Sequence, residues 1–237
     1  MSVVAVVKGN SAETAGRLDK EAYRRLLTAG LTELSGGSEP LEYLGKLLNG
    51  QTIGLKTNCL TRKLNSTPVA LVDALTEVLV RAGFAERDVV VWDRTNRELA
   101  GAGFELNVSG KSRRGVGTDA NGVGYSRNFY SYGEVNSLVS RILTDMVDVN
   151  VNMPILKDHS IAGISGGLKN MYGAIHNPNK YHDNNCDPFC AHVNNLEPIK
   201  SKQRESVKAA MAERFGEDTA DAEMAIYDAI ARSWADQ

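Results

Sequence analysis

Histidine and cysteine side chains are concentrated in one part of the chain. All four histidines and two of the three cysteines fall between His159 and His192. Imidazole and thiolate are preferred ligands of zinc, iron, nickel and copper. The clustering therefore predicts a metal ion or an iron–sulfur cluster, joined by Cys59 if the fold brings it close. The candidate ligands are His182, Cys186, Cys190 and His192. Their spacings match no standard zinc site, so a polar loop held by hydrogen bonds is the alternative.

A glycine-rich turn, DHSIAGISGGLKN, begins the same region. Glycines let backbone N–H groups approach an anion, and a following helix would add the positive end of its dipole. Lys169 would supply a charge or a nucleophilic amine, Ser165 would cap the helix or donate to a phosphate, and His159 would act as general acid or base. The candidate cofactor-binding residues here are Gly163, Ser165, Gly166, Gly167, Lys169 and Asn170. The turn is not a P-loop, and a close-packed helix start is the alternative.

Two further turns follow predicted strands. Ligands of open α/β sheets bind beyond the carboxyl ends of the strands, so side chains in these turns are expected to face one cleft. These side chains are Thr57, Asn58, Thr61, Arg62, Asp93 and Arg94. Thr61 and Arg62 are the predicted cofactor contacts, because a guanidinium suits a carboxylate or phosphate. A solvated loop residue is the alternative for each of them.

Apolar patterns predict the elements that hold these turns. The strands are expected at Val3–Lys8, Thr52–Lys56, Asp88–Asp93, Asn136–Leu143 and Val147–Pro154. The helices are expected at Lys20–Leu34 with Asp19 as N-cap, Pro40–Leu48, and Pro68–Ala82 with Thr67 as N-cap and Gly83 ending it. Gly163–Gly173 is expected as loop then helix, and Asn177–Asn195 as irregular chain. Strand, helix and strand at this spacing predict an α/β fold with an open, mainly parallel sheet of βαβ units and flanking helices.

The end of the chain is Ala-rich, and helices are expected at Lys202–Phe215 and Ala220–Trp234. The expected organisation is an α/β domain over residues 1–200 and a helical appendage over residues 201–237. The net charge of −2 argues against bulk electrostatic binding of nucleic acid. The sequence lacks a membrane-spanning apolar run and a signal peptide, which predicts a soluble cytoplasmic protein, with a trimmed exported precursor as the alternative.

Two long runs resemble a known family. NMPILKDHSIAGISGGLKNMYGAIHNPNKYHDNNCDP resembles the core signature of the domain-of-unknown-function 362 family (DUF362), in which a Pro-x-Leu-Lys-x-His element precedes a Leu-Lys-Asn-x-x-Gly helix start. LKTNCLTRKLNSTPVALVDALTEVLVRAGFAERDVVVWD resembles its earlier βαβ segment, so the resemblance covers roughly residues 3–200. Members are often encoded with, or fused to, iron–sulfur modules, which implies a metal or redox role. They usually continue with further strands where this chain has Ala-rich helices, so an edge covered by those helices or by a partner chain is expected.

A remoter similarity is to the nickel-pincer lactate racemase family. That family has a catalytic histidine followed by a Gly-x-Ser-Gly-Gly-x-Lys loop whose lysine holds the cofactor, and His159 and Lys169 stand in matching places. Thr61 and Arg62 resemble its Asp-x-Thr-Arg turn, but Asn58 replaces the aspartate. Its second catalytic histidine has no counterpart near Asn96, which argues against lactate racemisation itself.

These observations favour an enzyme of redox or isomerase type that depends on a metal or cofactor and acts on a small anionic substrate. His159 and Lys169 are its predicted catalytic residues. The alternatives are a non-catalytic module that binds a metal, an iron–sulfur cluster or a nucleotide, and a structural domain with a hydrogen-bonded loop. The expected partners are a small anionic ligand, a redox protein and a second copy of the chain, without nucleic acid or membrane.

Overall fold

A parallel sheet organises the chain in this computed structural model, which describes residues 5–7, 19–48 and 52–203. The described strands are β1 (Ile53–Lys56), β2 (Val89–Asp93), β3 (Arg114–Gly117), β4 (Tyr130–Tyr132), β5 (Val135–Ser137), β6 (Val149–Asn152), β7 (Lys157–His159) and β8 (Gly163–Ser165). The sheet has the order β3–β2–β1–β6, and its neighbouring strands are all parallel. β4–β5 and β7–β8 pair separately as antiparallel hairpins. The predicted fold class is confirmed.

Helices flank this sheet. They are α1 (Lys20–Ser35), α2 (Pro40–Leu47), α3 (Val69–Arg81), α4 (Asn96–Ala102), α5 (Gly167–Asn170) and α6 (Phe189–Asn194). The predicted cap of α1 is confirmed, because the Ala22 N–H donates to Asp19 Oδ1 at 2.7 Å. Within the described ranges, no helix combines the length and apolarity needed to cross a bilayer.

The βαβ unit β1–α3–β2 connects the two central strands. The predicted Thr67 cap of α3 is wrong: Pro68 is the N-cap residue, and no side chain caps that end. Thr67 Oγ1 instead accepts from the Asn58 N–H at 2.8 Å and donates to the Met153 carbonyl at 2.7 Å. These two hydrogen bonds therefore connect the turn after β1 to the end of β6. Gly83, with φ +102°, follows the end of the helix as predicted.

The two faces of the sheet cover two apolar cores. Val89 and Val91 point into a core shared with α2, α3 and α4, while Val90 and Trp92 point into a core built from the second half of the chain. Burial on both faces explains why β1 and β2 lack polar alternation. Apolar side chains on each face therefore hold the carboxyl ends of the strands in place.

Several predicted elements differ in the structure. The strand expected at Asn136–Leu143 is β5 only, followed by a π-helical turn over Ile142–Met146. Val139, Ile142 and Leu143 are all buried at the three- and four-residue spacing of a helix, which explains this difference. The predicted irregular segment Asn177–Asn195 contains α6.

The predicted elements at the two ends fall largely outside the described residues. Of the strand expected at Val3–Lys8, the described residues 5–7 are not in a strand. The helix expected at Lys202–Phe215 is described only through its first two residues, which continue the helical residues 197–201. The helix expected at Ala220–Trp234 lies wholly outside the described ranges.

Candidate functional site

A cavity of about 220 Å³ opens at the carboxyl ends of the neighbouring strands β1 and β2. The β7–β8 hairpin and the segment from α5 to His182 form its other walls. The polar side chains around it include Lys56, Asn58, Asp93, Arg94, Glu98, Lys157, His159, Ser165, Lys169, Asn170 and His182. Its volume is below the roughly 300–1,000 Å³ typical of sites for drug-sized ligands, so it suits a small molecule.

An ion pair between the last residues of β1 and β2 lies beside the cavity. Lys56 Nζ is 2.7 Å from Asp93 Oδ1, and the lysine is only 1% exposed. The ammonium also donates to the Thr57 carbonyl at 2.6 Å. Asp93 Oδ1 accepts from the Arg94 N–H, and Asp93 Oδ2 accepts from the Cys59 N–H at 2.6 Å. Both charges are therefore neutralised and hydrogen-bonded within the protein, as buried charges require.

Carboxamide side chains connect this ion pair to the hairpin. Asn58 Nδ2 donates to Asn170 Oδ1 at 3.2 Å, and Asn170 Nδ2 donates to Asn152 Oδ1 at 2.7 Å. Lys157 Nζ donates to Asn58 Oδ1 at 2.9 Å. The network joins the ends of β1 and β6 to β7 and α5, and it orients Lys157.

Lys169 and His182 form a second pair. Lys169 Nζ lies 3.0 Å from His182 Nε2 and 3.5 Å from the centroid of the Tyr172 ring. His182 Nδ1 is 3.0 Å from the Pro178 carbonyl, which can only accept, so this nitrogen carries a proton. Nε2 is then free to accept from Lys169 in the neutral imidazole. Burial lowers the pKa of Lys169, and burial together with the Lys169 charge lowers the pKa of His182.

His159 stacks on His182, with ring centroids 5.6 Å apart and planes inclined by 22°. Its Nδ1 accepts from the N–H groups of Ile161 and Ala162, at 3.2 and 3.1 Å. The neutral ring therefore carries its proton on Nε2. Burial, followed by the charge of Lys169, lowers the pKa of His159. In this arrangement the neutral ring is a hydrogen-bond donor rather than a proton acceptor.

The positive charges around the cavity divide into paired and unpaired groups. Lys56 pairs with Asp93, and Arg94 lies 3.2 Å from Glu98. Lys157 and Lys169 have no carboxylate partner among the described residues. The cavity therefore has two ammonium groups whose charge a bound anion would complement.

Several predicted residues do line this cavity, and others do not. Asn58, Asp93 and Arg94 face it as expected, and so do His159, Ser165, Lys169 and Asn170. Thr61 donates to the Asn65 carbonyl, and Arg62 lines a separate cavity of about 560 Å³ beside Pro68. Thr57, also expected there, is buried and donates to the Trp92 carbonyl.

The glycine-rich turn differs from the expected anion cradle. Gly163, Gly166 and Gly167 are not among the residues that line the cavity, and Gly167 presents its carbonyl to Asn152 Nδ2 at 2.7 Å. The helix that follows, α5, has four residues, and Gly166 rather than Ser165 stands at its N-cap. The expected Ser165 cap is wrong. The predicted role of the three glycines in cofactor binding has no support in this geometry and stays a prediction.

The predicted metal ligands lie in different surroundings. His182 is paired with Lys169, whereas His192 Nδ1 accepts from the Glu134 N–H at 3.1 Å. Cys186 is buried in the core of one sheet face, with Cys190 packed against it. Burial raises the pKa of Cys190 to about 11, so its thiol stays protonated near neutral pH.

Cys59, the possible fifth ligand, lies in the core of the opposite face. Burial and the Asp93 charge raise the pKa of Cys59 to about 12. Among the described residues, no group of three or more His, Cys, Asp or Glu side chains is arranged to hold a metal ion. The donors do not fit a single metal site in this arrangement, and metal binding stays a prediction.

Lys56, Lys157 and Gly173 are site residues that the sequence patterns did not single out. A Cβ at Gly173 would lie 2.9 Å from Lys56 Nζ and 3.0 Å from Asp93 Oδ1, so only glycine leaves room for the ion pair. The position of Lys56 in the sequence could have indicated its role. It is the last residue of a strand that is buried on both faces, where a lysine needs an anionic partner. No comparable local signal marks Gly173.

The fold and the cavity together define an α/β protein with a small polar cavity at the carboxyl edge of a parallel sheet. A family model described as Domain of unknown function (DUF362) matches residues 53–231. The match covers more than half of the chain, which therefore belongs to this family and confirms the resemblance. The match extends beyond residue 200, and the predicted domain boundary there stays a prediction. No curated protein matches the chain.

Proposed function

We propose that this protein is an enzyme that binds a small anionic carbonyl compound in the cavity and reacts with it through Lys169. The observation that carries the proposal is the 3.0 Å contact between Lys169 Nζ and His182 Nε2 at the cavity wall. A lysine amine that is largely buried, with a lowered pKa and without a carboxylate partner, is the usual form of an imine-forming lysine.

Lys169 and His182 cannot both carry a charge in this geometry. His182 Nδ1 donates to the Pro178 carbonyl, so an imidazolium would present a second N–H to Lys169. The lysine would then have to accept with the lone pair of a neutral amine. With a neutral ring, His182 Nε2 instead accepts from Lys169. The pair is therefore suited to move a proton off the lysine.

The reaction of the neutral amine with a carbonyl group is a balanced addition and dehydration. Lys169 Nζ bonds to the carbonyl carbon, and the oxygen receives a proton to give a carbinolamine. The first amine proton passes to His182 Nε2 in this step, and loss of the new hydroxyl group together with the one remaining N–H proton, as water, then gives the imine. His159, whose ring stacks on His182, donates to the carbonyl oxygen from its Nε2–H. An imine acidifies the neighbouring C–H bond, so proton transfer at that carbon is the reaction class.

Trapping of the imine tests this proposal. Protein incubated with pyruvate and cyanoborohydride should acquire one reduced adduct, located on Lys169 by peptide mass spectrometry. The rate should exceed that at the exposed Lys111, because the lowered pKa of Lys169 raises the fraction of its neutral amine near neutral pH.

Lys169→Met should lose the adduct, whereas Lys111→Met should keep it. Labelling spread evenly over the surface lysines would reject the proposal. Saturable binding of pyruvate without any adduct would favour the non-catalytic binding module instead.

A further inference from the structure

Lys157 and Ser165 face each other across the β7–β8 hairpin. They are a paired position of its antiparallel ladder, and both line the cavity. Opposite residues of such a ladder point to the same side, with Cβ atoms roughly 5 Å apart. His159 lies two residues along from Lys157 on the same face of the strand, while the intervening Asp158 is exposed. One side of the hairpin therefore presents an ammonium, a hydroxyl and an imidazole to the cavity.

The hydrogen-bonding capacity of this pair is only partly used by the described residues. Ser165 is 4% exposed, yet its hydroxyl makes no hydrogen bond with a described residue. Lys157 Nζ donates to one neutral acceptor, Asn58 Oδ1, and forms no ion pair in the described ranges. In the cavity wall, the Ser165 hydroxyl therefore has an unused donor beside an ammonium that lacks a carboxylate partner among the described residues, and a bound anion would accept from both.

We propose that Lys157 and Ser165 form the subsite that recognises the carboxylate of the substrate. One carboxylate oxygen accepts from Lys157 Nζ and the other from the Ser165 hydroxyl. Asn58 holds the ammonium in place. The substrate class is then a small oxo acid, whose carboxylate binds the hairpin while its carbonyl reaches Lys169. The position of the carbonyl rests on the proposed function, whereas the carboxylate subsite does not.

The charges nearby favour an anion at this position. Both oxygens of Asp93 are occupied by donors from Lys56, Arg94 and Cys59, and Glu98 is paired with Arg94. Neither carboxylate therefore offers an unpaired negative charge to repel a ligand. A carboxylate also matches the small volume of the cavity and the two donors better than a phosphate, which has more oxygens to satisfy.

Thermal-shift titrations with pyruvate and with its neutral analogue pyruvamide test the subsite. Pyruvate should raise the melting temperature of the wild type, and pyruvamide should do so only at much higher concentration. Lys157→Met should weaken pyruvate binding at least about tenfold, the loss typical of a charge-assisted hydrogen bond, and Ser165→Ala should weaken it about threefold to tenfold. Lys157→Arg, which keeps the charge, and Lys111→Met should retain the preference for pyruvate.

Each outcome separates this inference from the proposed function. Lys169→Met should lose the imine but keep the preference for pyruvate over pyruvamide. If no adduct forms and Lys157→Met abolishes pyruvate binding, the result would contradict the proposed imine and support the carboxylate subsite. Equal binding of pyruvate and pyruvamide, unchanged pyruvate binding in Lys157→Met, or tighter binding of inorganic phosphate than of pyruvate would overturn the subsite.

Discussion

The protonation of individual side chains decides what this site can do. Burial lowers the pKa of His159, Lys169 and His182, and it raises the pKa of Cys190 to about 11. The imidazoles are therefore neutral near pH 7, and the Cys190 thiol is protonated. A neutral His182 suits transfer of a proton from Lys169, and the resulting amine suits addition to a carbonyl group.

The lowered histidine pKa values predict how stability depends on pH. An unfolded histidine binds its proton near pH 6.5, whereas His159 and His182 bind it only at lower pH in the folded protein. Between those values the unfolded state holds more protons, so the free energy of unfolding falls as the pH drops below about 6.5. His182→Asn should reduce this fall by a few tenths of a kcal/mol, since the ring is partly exposed and solvent screens its charge.

Urea denaturation at about pH 7.5 and about pH 5.5 measures this difference in the free energy of unfolding. The matched control is His176→Asn, because His176 is exposed and outside the cavity. It should retain the pH dependence of the wild type. An unchanged pH dependence in His182→Asn would contradict the assigned pKa shift.

At the scale of elements, strand ends and one tight turn assemble the site. The register of the sheet brings Lys56 level with Asn152, and Asp93 follows the residue paired with Lys56. The 3₁₀ turn Met171–Ala174 then closes over the ion pair at Gly173. The hairpin adds Lys157, His159 and Ser165 from the other side. No single element contains the site, so its geometry depends on how closely these elements approach.

Gly173→Ala tests this close approach. The new Cβ would meet Lys56 Nζ and Asp93 Oδ1 at about 3 Å, so the ion pair must shift. The expected cost is about 1–3 kcal/mol in the free energy of unfolding, as for other overpacked sites. Chemical denaturation measures this cost.

Gly167→Ala is the matched control, because its Cβ would meet only Asn152 Nδ2 at 3.9 Å in helix α5. We expect a change within about 0.5 kcal/mol there. Equal effects of the two substitutions would show that Gly173 is not packed against the ion pair.

At the scale of the whole molecule, the sheet separates two cores and with them the cysteines. Cys59 lies in one core, whereas Cys186 and Cys190 belong to the other. His192 is engaged by the β4–β5 turn, where Gly133 packs against its ring. Nearness along the chain therefore does not bring all of the predicted ligands to one point in the described part of the structure.

Elemental analysis of untagged protein, purified without oxygen, tests the metal prediction. The hydrogen bond of His192 to Glu134 leads us to expect that His192→Ala retains any metal that the wild type binds. Equal loss of metal in His192→Ala and Cys186→Ala would contradict the described arrangement and support the four-residue site. Protein that stays free of metal after reconstitution would contradict the predicted metal site.

The amino-acid sequence alone determined the features that depend on neighbouring residues. Apolar periodicity predicted α1, α3, β1 and β2, and a capping signal predicted the start of α1. The βαβ spacing implied that the site lies at the carboxyl ends of the strands. The sequence also singled out Asn58 and Asp93, in turns beyond the carboxyl ends of predicted strands, and Lys169, in the glycine-rich turn. The family resemblance rested on contiguous motifs and was confirmed by the match to residues 53–231.

Only the tertiary structure decided which of these groups meet. Lys56 forms an ion pair with Asp93 and approaches Asn170, which lies far along the chain, and Lys169 contacts His182. The segment near Ile142, which was expected as a strand, forms a π-helical turn, and Cys59 lies in a different core from Cys186. Such pairings depend on burial and on distances between remote segments, which local periodicity does not encode.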